Sequence, residues 1–241
     1  MFGKILILSR FQAVFRKNRS TLSSEEPKVL YIYKERPHSR QTHMKKILLA
    51  IVLAYCTLSA QESIRVNFKG ASPTIKDFAW ALLSSTDNEE ECTDEVMNTL
   101  KQAWSLHSKG KALANGETLT IDTKSGFVLY EHTQDNNMLR IEMCYWNEAD
   151  KKHKLFAYNV TSFINGRHEP GQFDGINFYR YNNASKKMTL THDVGFDRQY
   201  GTSGAWVSYT LPRSGKDITE ITWSEKETKQ KMLKWNGREF K

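Results

Sequence analysis

The stretch YWNEADKKHKL, residues 145–155, predicts how most of this chain folds. It runs from an aromatic pair through polar turn-forming residues to two adjacent lysines and an apolar restart. Residues 180–190 (RYNNASKKMTL) and 222–233 (TWSEKETKQKML) repeat this order in degenerate form. Each copy is typical of a β-hairpin, in which lysines protect the exposed end of the second strand from edge pairing. The repeats therefore predict an antiparallel sheet.

Around these hairpins, apolar and polar residues alternate with the period of a β-strand. The alternation predicts nine strands, at 118–123, 127–133, 138–145, 155–161, 176–181, 187–191, 205–211, 218–224 and 231–235. Asn165-Gly166 and Asn236-Gly237 add two turns of the hairpin type. The strands follow one another without a βαβ rhythm or a glycine-rich phosphate loop, which disfavours a nucleotide-binding parallel sheet.

Two amphipathic helices are predicted before the strands. Apolar residues recur at i, i+3, i+4 and i+7 over residues 75–82, and Ser72-Pro73 in front of them is typical of a helix start. A second helix is predicted from Thr93 to a C-cap at Gly110. We therefore expect an α+β fold, with two N-terminal helices packed on one antiparallel, mostly meander sheet of about eight strands, curved or closed into a partial barrel.

The positive charge of the chain is concentrated at its beginning. The 241 residues carry 35 Lys and Arg against 27 Asp and Glu, a formal charge of +8. Residues 1–60 contain eleven of the basic residues and three of the acidic ones, so residues 61–241 are neutral. Because nucleic-acid binding relies on a net basic surface, this neutral body disfavours a nucleic-acid partner.

Residues 44–60 have the pattern of a secretory signal peptide. Two lysines follow Met44, an apolar run covers residues 47–58, and a small residue, Ala60, ends the segment. The run is shorter than the roughly 20 apolar residues of a transmembrane helix. We expect cleavage after Ala60 and a periplasmic or secreted protein with no transmembrane span in its mature chain.

The sequence thus divides into three parts. Residues 1–43 are interpreted as a non-native upstream extension or a disordered leader, residues 44–60 as the signal peptide, and residues 61–241 as a single α+β domain. With its exported leader, neutral body and repeated aromatic hairpins, the chain over residues 44–241 resembles the small exported proteins of unknown function that are common in Bacteroidetes. This resemblance includes no catalytic motif and implies no site residue.

Two cysteines fall in the predicted mature chain, Cys92 and Cys144. A disulfide between them is compatible with an oxidising compartment, and two buried free thiols are the alternative. Neither cysteine has a nearby partner with the spacing of a zinc ligand, so a zinc site is disfavoured.

Two polar loops contain the residue types that could hold a metal. His168 and Glu169 lie in the loop 168–174, and His192 and Asp193 lie in the loop 192–197. If both loops meet at one end of the sheet, these four side chains could bind a divalent metal or form an acid–base pair. Polar residues of solvated loops are the simpler interpretation, because no characteristic spacing is present.

Aromatic residues are abundant on the predicted strands. Four of them are candidate ligand-binding residues on a concave face: Trp146, Tyr179, Tyr181 and Trp206. An aromatic-lined concavity suits a sugar, a peptide or an apolar ligand. Cross-strand packing in the core is the alternative role for the same side chains.

These observations predict a non-catalytic periplasmic or secreted module that binds a small ligand, a glycan or an envelope protein, with no cofactor. The alternative is a hydrolase of an extracytoplasmic polymer that uses the 168–174 and 192–197 loops. A third hypothesis is a structural envelope protein, which predicts an exposed apolar patch.

Overall fold

The computed structural model describes residues 63–85, 93–171, 173–198, 201–202 and 205–241. Two helices lie in this part of the chain, α1 (Ile75–Ser85) and α2 (Thr93–Ser108). The strands are β1 (Ser63–Arg65), β2 (Glu117–Asp122), β3 (Phe127–Gln134), β4 (Asn137–Asn147), β5 (His153–Ile164), β6 (Arg167–His168), β7 (Gly175–Asn182), β8 (Lys187–Thr191), β9 (Gly201–Thr202), β10 (Ala205–Thr210), β11 (Ile218–Ser224) and β12 (Thr228–Leu233).

The strands form two antiparallel sheets. The larger has the order β1-β8-β7-β5-β4-β3-β2, with the short β6 paired to β5, and the smaller has the order β12-β11-β10-β9. From β2 to β8 the chain runs as a meander. By contrast, β1 precedes the helices in sequence and pairs with β8, where Ile64 lies opposite Met188. The outer strands of the larger sheet are therefore β1 and β2.

The larger sheet is covered on both faces. One face packs with both helices in a core that contains Phe78, and the other packs with the smaller sheet in a core that contains Trp146. Neighbouring residues of one strand supply the two cores: in β5, Phe156 belongs to the helix side and Leu155 to the side of the smaller sheet. This alternation follows from the period of two along a strand.

The three repeated stretches form the hairpins β4–β5, β7–β8 and β11–β12, as predicted. In the first two, a side chain organises the turn by accepting backbone hydrogen bonds from residues two and three positions ahead. Oδ1 of Asp150 accepts these bonds at 2.8 and 3.0 Å, and Oδ1 of Asn182 accepts its pair at 2.9 and 3.0 Å. Lys151 and Lys186 complete the turns with positive φ angles of 59° and 56°.

The first helix begins slightly later than predicted, after Thr74. Oδ2 of Asp77 accepts hydrogen bonds from the backbone N–H and the hydroxyl of Thr74, both at 2.7 Å. The carboxylate thus returns to the residue that precedes the helix, as in one half of a capping box. Ser72 and Pro73 belong to the approach to the helix and not to its first turn.

The predicted fold class, α+β with two N-terminal helices on one sheet of about eight strands, is wrong. The described chain is mostly antiparallel strand, its helices lie in the middle of the sequence within residues 75–108, and its strands divide into sheets of eight and four. The division has a steric reason. Because β1 occupies the edge of β8, the strands that follow β8 cannot extend that edge and instead stack on a face of the sheet.

The leader 1–43, the signal peptide 44–60 and Cys92 lie outside the described residues. Cys144 is buried with a free thiol, and burial raises its pKa well above the ordinary value. Among the described helices, neither has the length and hydropathy that crossing a membrane requires.

Candidate functional site

The four selected aromatic residues do not share a surface. Trp146 is buried between the two sheets, whereas Tyr181 is buried on the helix side of the larger sheet and Tyr179 packs against that same core. Trp206 is 46% exposed on the smaller sheet. Three of the four side chains therefore build the cores, the alternative that the sequence left open.

The predicted metal residues are also dispersed. His168 is the last residue of β6 and is buried, whereas Glu169, which follows it, is exposed. His192 and Asp193 are exposed after β8. The Arg198 guanidinium donates to Nδ1 of His192. Among the described residues, these four do not form a group of three or more metal-ligating side chains.

His168 belongs to a small aromatic cluster at one end of the sheets. Its ring lies 6.1 Å from that of Phe163 and 6.3 Å from that of Trp223, which joins β6 to the smaller sheet. Nδ1 of His168 donates a hydrogen bond of 3.0 Å to the backbone oxygen of Ser162, since a carbonyl can only accept. Nε2 is buried and has no hydrogen-bond partner in the described part of the chain.

A serine and an aspartate lie beside this histidine, but their connections differ from those of a nucleophilic triad. The Ser162 hydroxyl donates to Oδ1 of Asp174 at 2.7 Å, and the Ser162 backbone N–H donates to Oδ2 at 2.7 Å. Oδ2 of Asp174 lies 3.6 Å from Nδ1 of His168. Burial raises the pKa of Asp174, against the hydrogen bonds from Ser162 that lower it. Because a triad requires the serine hydroxyl to face the imidazole, this geometry is that of a loop anchor.

Glu148, Asp150 and His153 in the β4–β5 turn bring three ligand atoms within 4.8 Å of one another. Nδ1 of His153 donates to Asp150 at 2.6 Å, and its Nε2 accepts from Asn182 at 3.0 Å. The Arg180 guanidinium donates to Glu148 at 2.8 Å. Both imidazole nitrogens and the buried glutamate are thus engaged with protein groups, and the cluster ties two hairpins together.

The described surface contains an open cleft of about 330 Å³ between the edge strand β1 and helix α1. Its lining comprises Ser63, Ile64, Arg65, Asn67, Asp77, Trp80, Ala81, Ser84 and Ser85. Trp80 is 46% exposed there, so nearly half of its surface faces solvent. The cleft therefore combines an apolar aromatic surface with hydroxyl, amide and charged groups.

A second cleft of about 330 Å³ lies beside the β7–β8 hairpin, where Tyr181, Lys154 and Lys186 contribute to its lining. Its cationic groups already have partners. The Lys154 ammonium donates to Asn147, and the Lys186 ammonium lies 5.2 Å from the centre of the Phe68 ring. The cleft at α1 is the stronger candidate because its indole remains available.

Trp80 is not one of the candidate residues that the sequence analysis predicts. It lies between Ala79 and Ala81 in α1, outside the apolar spacing that begins at Ile75. A large aromatic residue off the buried stripe of an amphipathic helix is the signal that could have identified it.

Comparisons with known proteins found no matching family model, no similar curated protein and no similar solved structure.

Proposed function

We propose that this protein is an exported, non-catalytic binding module whose ligand occupies the cleft between β1 and α1. The observation that carries the proposal is the half-exposed Trp80 in that cleft. An indole held on a helix supplies a rigid apolar contact with little loss of conformational entropy on binding. The surrounding polar groups supply hydrogen bonds that orient a ligand.

The placement of the two polar loops favours binding over hydrolysis. A hydrolase built on residues 168–174 and 192–197 requires their acids and histidines to converge. The Asp193 carboxylate instead lies 3.8 Å from the Arg180 guanidinium, and the Asp174 carboxylate accepts a hydrogen bond from the Ser162 hydroxyl. The binding hypothesis requires no such convergence.

Export is supported by the sequence of residues 44–60 alone. If those residues are a signal peptide, the natural product begins at Gln61 and accumulates in the periplasm or the medium. Mass spectrometry of the protein purified from its native cells tests this. A chain that retains residues before Gln61 and stays in the cytosol contradicts export without affecting the binding proposal.

Two tryptophans with the same exposure provide a matched test of the cleft. Trp80 and Trp206 are each 46% exposed, but Trp206 lies on the smaller sheet. We expect Trp80→Ala to weaken binding at least tenfold to whichever member of a peptide, oligosaccharide and small-molecule panel the protein binds, and Trp206→Ala to leave it unchanged. Equal effects of the two substitutions, or no binding by any panel member, contradict the proposal.

A further inference from the structure

Among the described residues, no strand pairs with the outer edge of β1, and this edge borders the cleft. The Val66 N–H donates to the Lys186 backbone oxygen at 2.9 Å, so Val66 points toward β8. The backbone N–H and C=O groups of successive residues in an antiparallel strand face opposite sides in turn, so those of Ile64, two residues before Val66, also face β8. It follows that the N–H and C=O groups of Ser63 and Arg65 point away from β8, and both residues line the cleft.

The opposite wall of the cleft is one continuous face of α1. The lining residues Asp77, Trp80, Ala81, Ser84 and Ser85 follow one another at i, i+3, i+4, i+7 and i+8. This spacing places them on the same side of a helix. A strand edge and a helix face thus run along the two sides of the cleft.

We infer that the ligand is an extended peptide segment of a partner protein, which adds a strand to β1 and packs its side chains against Trp80. This inference rests on the proposed function and names the class of ligand. An extended main chain is the ligand that satisfies a row of outward backbone N–H and C=O groups, and strand addition to a sheet edge is a recurrent mode of peptide recognition. A sugar or an apolar small molecule would use the indole but not the strand edge.

The charge at the strand edge predicts a sequence preference in the peptide. Arg65 is exposed and forms no ion pair with any acidic side chain among the described residues. Asp77, on the helix wall, already accepts two hydrogen bonds from Thr74. The available charge is therefore the guanidinium, and we expect an acidic residue in the peptide next to the apolar residue that contacts Trp80.

Selection of a displayed library of random linear nonapeptides against the full chain supplies the probe. The tightest binder is synthesised and its Kd is measured by fluorescence anisotropy. A series of the same peptide with one N-methylated amide at a time then tests strand addition. Because alternate residues of an added strand direct their N–H groups to β1, we expect N-methylation to weaken binding at least tenfold at every second position of the paired segment.

Two substitutions of Arg65 test whether its backbone N–H takes part in peptide binding. Arg65→Pro removes the outward N–H, whereas Arg65→Ala removes the side chain and keeps the N–H. Proline is tolerated on edge strands, so the hydrogen bond between Val66 and Lys186 is expected to persist. We expect Arg65→Pro to bind the peptide at least tenfold more weakly than Arg65→Ala. If Arg65→Pro fails to fold, the N-methyl series on the unchanged protein decides the question.

The outcomes separate the two proposals. Peptide binding that is insensitive to the position of N-methylation overturns strand addition, as does binding of only an oligosaccharide or small molecule through Trp80, while the binding module stands. If neither the library nor the panel yields a ligand, both proposals fail. A dimer that Arg65→Pro dissociates would assign the edge to a second copy of this chain and overturn the partner peptide.

Discussion

Glu142 and Leu211, 69 residues apart in sequence, are joined by a hydrogen bond of 3.1 Å from the Leu211 backbone N–H to Oε2 of the carboxylate. Glu142 lies in the middle of β4 on the face covered by the smaller sheet, and Leu211 follows β10. Asn159, directly across from Glu142 on β5, donates to the same oxygen at 3.3 Å and to the Tyr209 backbone oxygen at 2.7 Å. A pair of buried polar side chains thus connects the two sheets.

The first prediction concerns the pH dependence of this connection. Burial raises the pKa of Glu142, so protonation of this residue favours the folded state. Its favourable contribution to the free energy of unfolding is therefore complete below about pH 4.3, the ordinary glutamate pKa, and is lost as the pH rises through the raised value. We expect Glu142→Gln to remove this part of the pH dependence while keeping an oxygen for Leu211. Urea denaturation of both proteins from pH 4 to pH 8 measures it, and parallel curves would contradict the prediction.

The second prediction concerns how much the hydrogen bonds accepted by Glu142 contribute to stability. Glu142→Ala leaves the buried N–H of Leu211 without an acceptor and removes one of the three acceptors around the Asn159 amide, and we expect a loss of about 1–3 kcal/mol in the free energy of unfolding at pH 7. Glu220→Ala is the control, since Glu220 lies in β11 and is only partly buried. Equal losses for the two substitutions would show that the hydrogen bond between Glu142 and Leu211 does not contribute to the free energy of unfolding.

The third prediction concerns the loop anchor at Asp174. Asp174→Ala removes the acceptor of both Ser162 hydrogen bonds, and we expect a loss of about 2 kcal/mol or more in the free energy of unfolding. Asp174→Asn keeps one acceptor and is expected to lose less. Asp197, exposed in the next polar loop, supplies the control Asp197→Ala, whose effect is expected to be within about 0.5 kcal/mol of zero. Chemical denaturation measures the free energy of unfolding of the three variants and ranks their losses.

The fourth prediction uses two glycines with similar backbone angles. Gly195 and Gly215 have φ angles of 91° and 85°, so alanine is strained at both. Only at Gly195 does an added Cβ meet the backbone, 2.3 Å from the Phe240 oxygen, where Val194 accepts the Phe240 N–H at 2.8 Å. We expect Gly215→Ala to lower the free energy of unfolding by about 1 kcal/mol, and Gly195→Ala by about 1–3 kcal/mol more as the C-terminal segment is displaced. Thermal unfolding compares them, and equal losses would exclude a close-packed C-terminus.

The fifth prediction is a titration in the β4–β5 turn. The hydrogen bond from His153 and the backbone N–H of Lys152 lower the pKa of Asp150 to about 2. Its contribution to stability is present above the ordinary aspartate pKa and is lost as the pH falls through about 2. NMR titration of the Asp150 carboxyl should show this pKa move toward 3.8 in His153→Ala. Lys152→Ala retains the backbone donor and should leave the pKa unchanged, so a shift there would assign the effect to the lysine charge.

Local turn chemistry explains why the strands were predictable. Asp150 and Asn182 satisfy their own turns through contacts within three residues, so the same signal is visible in sequence and structure. Asn165 and Gly166 both adopt positive φ, 52° and 75°, as an Asn-Gly hairpin turn requires. Such contacts need no information from the rest of the chain.

The candidate site was not predictable in this way. The position of Trp80 off the buried stripe of α1 is local, but its cleft also needs β1, which precedes the helix and pairs with β8 more than a hundred residues later. The aromatic residues selected from the strands had the right composition for a binding face. Sequence alternation could not show that the larger sheet has a covering layer on each side, which buries both sets of alternate residues.

By itself, the sequence determined the positions of the hairpins, the two helices and the antiparallel pairing, because each depends on periodicity and on turn residues a few positions apart. Only the tertiary structure decided that the strands form two sheets and not one, that Glu142 connects them, and that β1 is an outer strand of the larger sheet beside Trp80. Those features depend on contacts between segments far apart in the chain. Many pairings satisfy the same local pattern, and the packing of the whole chain selects one of them.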